Sequence, residues 1–180
     1  MTLRTNLMWA YGSNLNVEQM RYRCPTAVPV APLIVPNAIL RFRSIADVAY
    51  LSGATCAGGL WQITETDEKT LDEYEGVDVG LYEKKYLLLL IDGKAKRALF
   101  YKMLRCHIAP PSPAYLSVIR RGYQEFNLPL HKLKRAVAHA KRKRLAAELA
   151  LRRPATWQWE PNDEDYFNLT EEKNDAVQHP

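Results

Sequence analysis

Cysteine is scarce in this chain of 180 residues: Cys24, Cys56 and Cys106 are odd in number and far apart. No CxxC pair occurs and no Cys/His group has ligand spacing, so a disulfide framework and a zinc or other metal site are not expected. A reducing, cytoplasmic setting follows from the same pattern. His107, His131, His139 and His179 are scattered and show no nucleophile or ligand arrangement, which reads them as ordinary surface or core residues. Long apolar runs are also missing. The run over residues 86–91 is far below the ~20 residues that span a bilayer, and it ends in the turn signal Asp92-Gly93. Arg4 is followed by no sustained apolar stretch and no small-residue cleavage site, so neither a secretory leader nor a membrane partner is expected. The eight glycines never form the Walker pattern with its lysine, which excludes a phosphate loop of that type. No internal repeat or low-complexity tract occurs.

The chain is 47% apolar and 25% charged, the balance of a globular domain with a real core. Residues 7–11 read as a buried strand running into Gly12-Ser13-Asn14-Leu15, and residues 17–21 read as helix. A strand, a tight Gly-Ser-Asn turn and a helix start expose several N–H groups in one concavity, which suits a carboxylate or carbonyl oxygen. An ordinary strand-to-helix turn is the competing reading. Residues 25–43, rich in proline and β-branched side chains, predict short strands with loops, the prolines driving several to sheet edges. Residues 46–49 and 54–63 continue the β pattern. Residues 82–91 and 95–103 predict a hairpin. Ser112 and Pro113 open a helix over 113–126 with Tyr115, Val118, Ile119 and Gly122 facing inward.

Residues 67–74 predict a short helix, N-capped by Thr66 or Asp67 and stopped by Gly76. Leu71, Tyr74 and Glu75 share one face of it. If apolar Leu71 points inward, Glu75 goes with it, and a carboxylate drawn from water has its pKa raised toward acid/base duty. The alternative is a last-turn glutamate that faces solvent.

Composition changes at His131. Up to Arg153 nine Lys or Arg stand against one acid, Glu148, on a helical pattern, and beyond Pro154 follow Trp157, Trp159 and an acidic stretch. The basic helix would favour a polyanion or acidic partner, while a solvated helix neutralised by the acidic tail is the competing reading. Trp157 and Trp159 read as anchors onto the domain surface rather than stacking platforms.

Four stretches occur in an order that resembles the γ-glutamylcyclotransferase family. They are Tyr11-Gly12-Ser13-Asn14-Leu15; Leu71-Asp72-x-x-Glu75-Gly76-Val77 with Gly80-x-Tyr82; Tyr101-x-Met103; and Pro111-Ser112-Pro113-x-Tyr115 with Gly122 and Leu128-Pro129. The resemblance spans residues 7–129. It implies an α+β fold, a compact mixed barrel-like sheet with a few flanking helices. The catalytic domain would be residues 1–130, followed by a basic helical extension (131–153) and an acidic, Trp-containing tail (154–180). It also implies Glu75 as the single acid/base, with Tyr11, Gly12, Ser13, Asn14, Leu15, Tyr82 and Tyr101 binding substrate. The implied reaction cyclises a γ-glutamyl amino acid or γ-glutamylamine to 5-oxoproline without metal or cofactor. A non-catalytic binding module of the same fold is the alternative. The family's middle segment is matched only loosely, by Ser44, Ala54-Thr55 and Gly58-Gly59. The loop with its Asn fits the γ-glutamyl-amino-acid and γ-glutamylamine enzymes better than the glutathione-specific relatives. Oligomeric state is not legible.

Overall fold

The computed structural model describes residues 5–91, 93–104 and 107–151. Asp92, Cys106 and the acidic tail with Trp157 and Trp159 lie outside the described residues. Ten elements follow in order: β1 (Thr5–Ala10), a 3-10 turn (Ser13–Leu15), α1 (Val17–Arg23), β2 (Val28–Arg43), β3 (Ile45–Thr64), α2 (Glu65–Tyr74), β4 (Tyr82–Ile91), β5 (Lys94–Met103), α3 (Pro113–Glu125) and α4 (Leu130–Leu151). The chain divides after Ala146 into two units. The first holds all that follows; of the second, only the end of α4 is described.

Five strands form one mixed sheet in the order β2-β3-β1-β5-β4. The β1 strand sits at the centre because Met8, Trp9 and Ala10 form a continuous apolar run buried on both faces. It pairs parallel with β5 at Leu7↔Ala98 and Met8↔Leu99, and all the other pairings are antiparallel. Trp61, Phe126, Tyr123 and Ile119 carry the core from the sheet to α3.

The expectation of short strands over 25–43 is corrected: β2 is a single strand of 16 residues. It lies at the sheet edge, where the missing proline N–H groups leave no ladder partner orphaned. Its strain is released in register shifts next to Pro29 and Pro36. The two stretches expected around Gly53 are likewise one strand, β3, of 20 residues. Opposite Asn37, which takes φ +53, β3 bulges through Gly53 at φ +74, and Gly53 N donates to Asn37 Oδ1 at 3.0 Å.

Asp47 on β3 is fully buried and takes up the charge of two neighbours. It accepts from Arg43 Nε at 2.7 Å, Lys102 Nζ at 2.9 Å and Met103 N at 3.2 Å, tying β3 to β5. The cap of α2 is also corrected. Thr64 caps it, with Asp67 bonding back to the Thr64 N–H in a capping box. The signal was hidden because Asp, rather than Glu or Gln, fills the third helical position.

Gly122 is where α3 meets the loop after β1. A Cβ there would stand 2.4 Å from Leu15 Cβ, 2.6 Å from Leu15 C and 2.8 Å from Asn16 N. Backbone cannot yield as a side chain would. Gly122→Ala is therefore expected to destabilise by about 1–3 kcal/mol and to displace the 13–16 loop. Urea unfolding and the loop's backbone NMR shifts read the two effects, and wild-type behaviour in both would refute the packing argument.

In α4, Leu133, Ala136 and Ala140 are buried, while Lys134, Arg135, Lys141 and Arg142 face solvent.

Candidate active site

Glu75 is the C-cap residue of α2, and Gly76, at φ +63, turns the chain away behind it. Leu71, one turn earlier and wholly buried, pins that end of the helix into the core. The side chain of Glu75 thereby reaches a small cavity of about 30 Å³, lined by Tyr11, Gly12, Ser13, Asn14, Ala46, Tyr82, Tyr101 and Tyr115 over a floor from β1.

The turn after β1 faces Glu75. Leu15 N closes onto Gly12 O at 3.1 Å and Asn16 N onto Ser13 O at 3.0 Å; the N–H groups of Gly12, Ser13 and Asn14 take no part in that closure. Asn14 Nδ2 donates to Glu75 Oε1 at 2.7 Å. Burial pushes the Glu75 carboxyl above the ordinary glutamate value, while the Asn14 bond and the nearby Arg23 cation oppose the rise. A carboxyl in that position can take up and return a proton.

Four tyrosines close the cavity. The Tyr11 hydroxyl donates to Tyr101 O, Tyr82 to Ala46 O at 2.7 Å and Tyr101 to Asp72 Oδ1 at 2.9 Å. The protons of these three are committed to the frame, which leaves each hydroxyl able to accept but not to donate again. Burial, the largest cause in each, holds all three well above the usual phenol range. Tyr115 differs. Its oxygen accepts from Ala46 N at 3.1 Å, the Ser13 side chain lies within hydrogen-bonding reach, and burial pushes its pKa up to about 12.

Of the residues singled out in the sequence, Glu75, Tyr11, Gly12, Ser13, Asn14, Tyr82 and Tyr101 converge on this one cavity. Leu15 does not reach it. It is fully buried against Gly122, so its part is to seat the turn. Sequence reasoning placed Tyr115 on an inward helical stripe without giving it a site role, and passed over Ala46 and Arg23. Arg23 stands at the end of α1, two residues beyond the helix foreseen there. Only the three-dimensional meeting of α1 with the end of α2 makes it visible.

Outside the cavity, a larger groove of about 720 Å³ runs between α1 and α3. Arg23, Tyr74, Tyr22, Val118 and Arg121 are among its lining residues. Cys24 and Cys56 are buried thiols pushed up to about 12, chiefly by burial. Among the described residues, no group of three or more His, Cys, Asp or Glu could hold a metal ion, and no helix is long and apolar enough to cross a membrane.

Comparison with known proteins points one way. Residues 56–135 match the model of the AIG2-like family. The chain is 31% identical over 137 residues to the γ-glutamylcyclotransferase of Homo sapiens, covering 69% of this chain and 73% of that protein. It is 32% identical over 138 residues to that of Mus musculus, with the same coverage. A solved γ-glutamyl cyclotransferase superposes with TM-score 0.65 at 24% identity, covering 93% of this chain and 99% of the other. An uncharacterised protein of Homo sapiens superposes with TM-score 0.64 over the same shares. At that identity the two structures establish the shared fold.

Proposed function

Because the chain is an enzyme of the γ-glutamylcyclotransferase family, we propose that it cyclises a small γ-glutamyl amino acid or γ-glutamylamine, with Glu75 as the acid/base. The observation that carries this reading is the half-buried Glu75 carboxyl, its pKa raised by burial, facing the turn after β1 across the cavity.

In this scheme the N–H groups of Gly12, Ser13 and Asn14 hold the substrate's α-carboxylate, since their turn lines the cavity opposite Glu75 and a negative group suits backbone N–H groups. The neutral α-amine attacks its own γ-carbonyl carbon, forming the ring C–N bond, and Glu75 takes the proton that the ring nitrogen sheds. The original amide C–N bond then breaks, and the leaving nitrogen takes back the proton from Glu75. The products are 5-oxoproline and a free amino acid or amine. Nucleophile and electrophile belong to one molecule, so holding the substrate folded supplies much of the acceleration. Tyr115, a further hydroxyl lining the cavity, would hydrogen-bond the carbonyl oxygen as charge develops there. The groove floored by Arg23 and Tyr74 would receive the leaving amine.

A panel of γ-glutamyl amino acids, γ-glutamylamines and glutathione, assayed for 5-oxoproline, tests the scheme. Turnover is expected on one or more of the first two classes and little on glutathione. Silence across the panel would sink the cyclisation reading.

A further inference from the structure

We propose that Arg23 is a positioning residue for Glu75, acting through the amide of Asn14: by donating to Asn14 Oδ1 it decides which end of that amide meets the carboxylate. The inference rests on the reading of Glu75 as the acid/base.

Arg23 Nη1 lies 2.7 Å from Asn14 Oδ1, and Asn14 Nδ2 lies 2.7 Å from Glu75 Oε1. The two ends of a side-chain amide are alike in size, so sterics do not choose between orientations and hydrogen bonding must. A guanidinium can only donate. It is satisfied by the amide oxygen, which sends the NH2 group to Glu75. The opposite orientation would set donor against donor at Arg23 and acceptor against acceptor at Glu75.

The guanidinium is itself held firmly. It lies over the Tyr74 ring at 3.7 Å from the centroid, donates to the Tyr74 hydroxyl, and donates to Gln19 Oε1 at 2.7 Å. No ion pair to an Asp or Glu engages Arg23 among the described residues. Its fixed partners are therefore neutral, and its field is left to act toward Glu75.

The other titratable groups around Glu75 are Tyr11 just after β1, Tyr74 from α2, Tyr82 from β4, Tyr101 from β5 and Tyr115 from α3. Behind them Asp72 is paired with Lys84, and Asp47 with Arg43 and Lys102. Arg23 is the cation among these neighbours that stabilises the ionised carboxylate.

The test is a carboxyl-carbon NMR titration of Glu75, assigned by Glu75→Gln, in a double-mutant cycle of Arg23→Met and Asn14→Ala. Losing Arg23 lets the amide turn its oxygen to the carboxylate, which favours the protonated form. The Glu75 midpoint should rise by about one pH unit, a tenfold change in proton affinity, and Arg23→Lys should restore most of it. In the Asn14→Ala background the same substitution should move the midpoint by less than half as much. An equal rise with and without Asn14 would overturn the relay in favour of a direct charge effect, and no rise at all would make Arg23 a packing residue. Should Arg23→Met not fold, Gln19→Ala with Tyr74→Ala strips two of the guanidinium's anchors, and the same outcomes apply. The titration needs no turnover. A protein silent for 5-oxoproline with the shift intact refutes cyclisation alone; an active protein with an unmoved midpoint refutes the relay alone.

Discussion

Glu75→Gln is expected to lower kcat for 5-oxoproline release by about 10²–10⁴-fold, the range for one positioned acid/base, while the protein stays folded. The amide keeps an oxygen to accept from Asn14 Nδ2, so the geometry survives and only the proton traffic stops. A pH profile carries the same assignment. The base must be ionised to act, so kcat/KM should fall on the acid side through a midpoint above the ordinary glutamate value, in the direction burial imposes. Stability runs the other way. Because folding raises this carboxyl's pKa, its favourable contribution is full below the unfolded-state value and is lost as pH rises through the folded-state one. Above that window Glu75→Gln should be as stable as the wild type or more so by thermal melting. An inactive variant that melts early would speak for a structural glutamate, and a variant with wild-type kcat would end its candidacy.

The largest loss of stability is expected at Asp47. Removing its carboxylate leaves the Lys102 ammonium without its countercharge and the Met103 N–H without its acceptor, and takes one partner from Arg43. Breaking a buried pair in this way costs about 3–5 kcal/mol. Lys102 retains some exposure at 28%, so the lower end is expected for Asp47→Ala in urea unfolding. The neighbouring Ala46 bonds both Tyr82 and Tyr115 through its backbone, so activity should fall alongside. A loss under about 1 kcal/mol, the worth of an exposed pair, would mean that solvent reaches this cluster freely.

Much of the site was legible because its residues lie in short local signals. Glu75 follows a buried Leu71 by one turn and precedes a glycine that must turn left, and Asn14 sits in a strand-turn-helix junction. The helices over 67–74 and 113–126 and the hairpin after Tyr82 follow from caps, periodicity and turn chemistry in the same way. Two things escaped. Prolines at 29, 32 and 36 pointed rightly to a sheet edge but also read as breaks, and the edge strand runs through them unbroken. Arg23 carries no local mark at all. Its role comes from partners at positions 14, 19 and 74, brought together by the packing of α1 against α2.

The span of the contacts that make the cavity has a kinetic consequence. Asn14 reaches 61 positions along the chain to Glu75, and Tyr11 reaches 90 to Tyr101. Each must wait for its loop to close, and the parallel seam of β1 with β5 is among the slowest pairings to form. Helices and the two hairpins can assemble early from neighbours, but the cavity cannot. Catalytic competence is thus a late milestone of folding, and a chain that has regained its helical content has not yet regained its site.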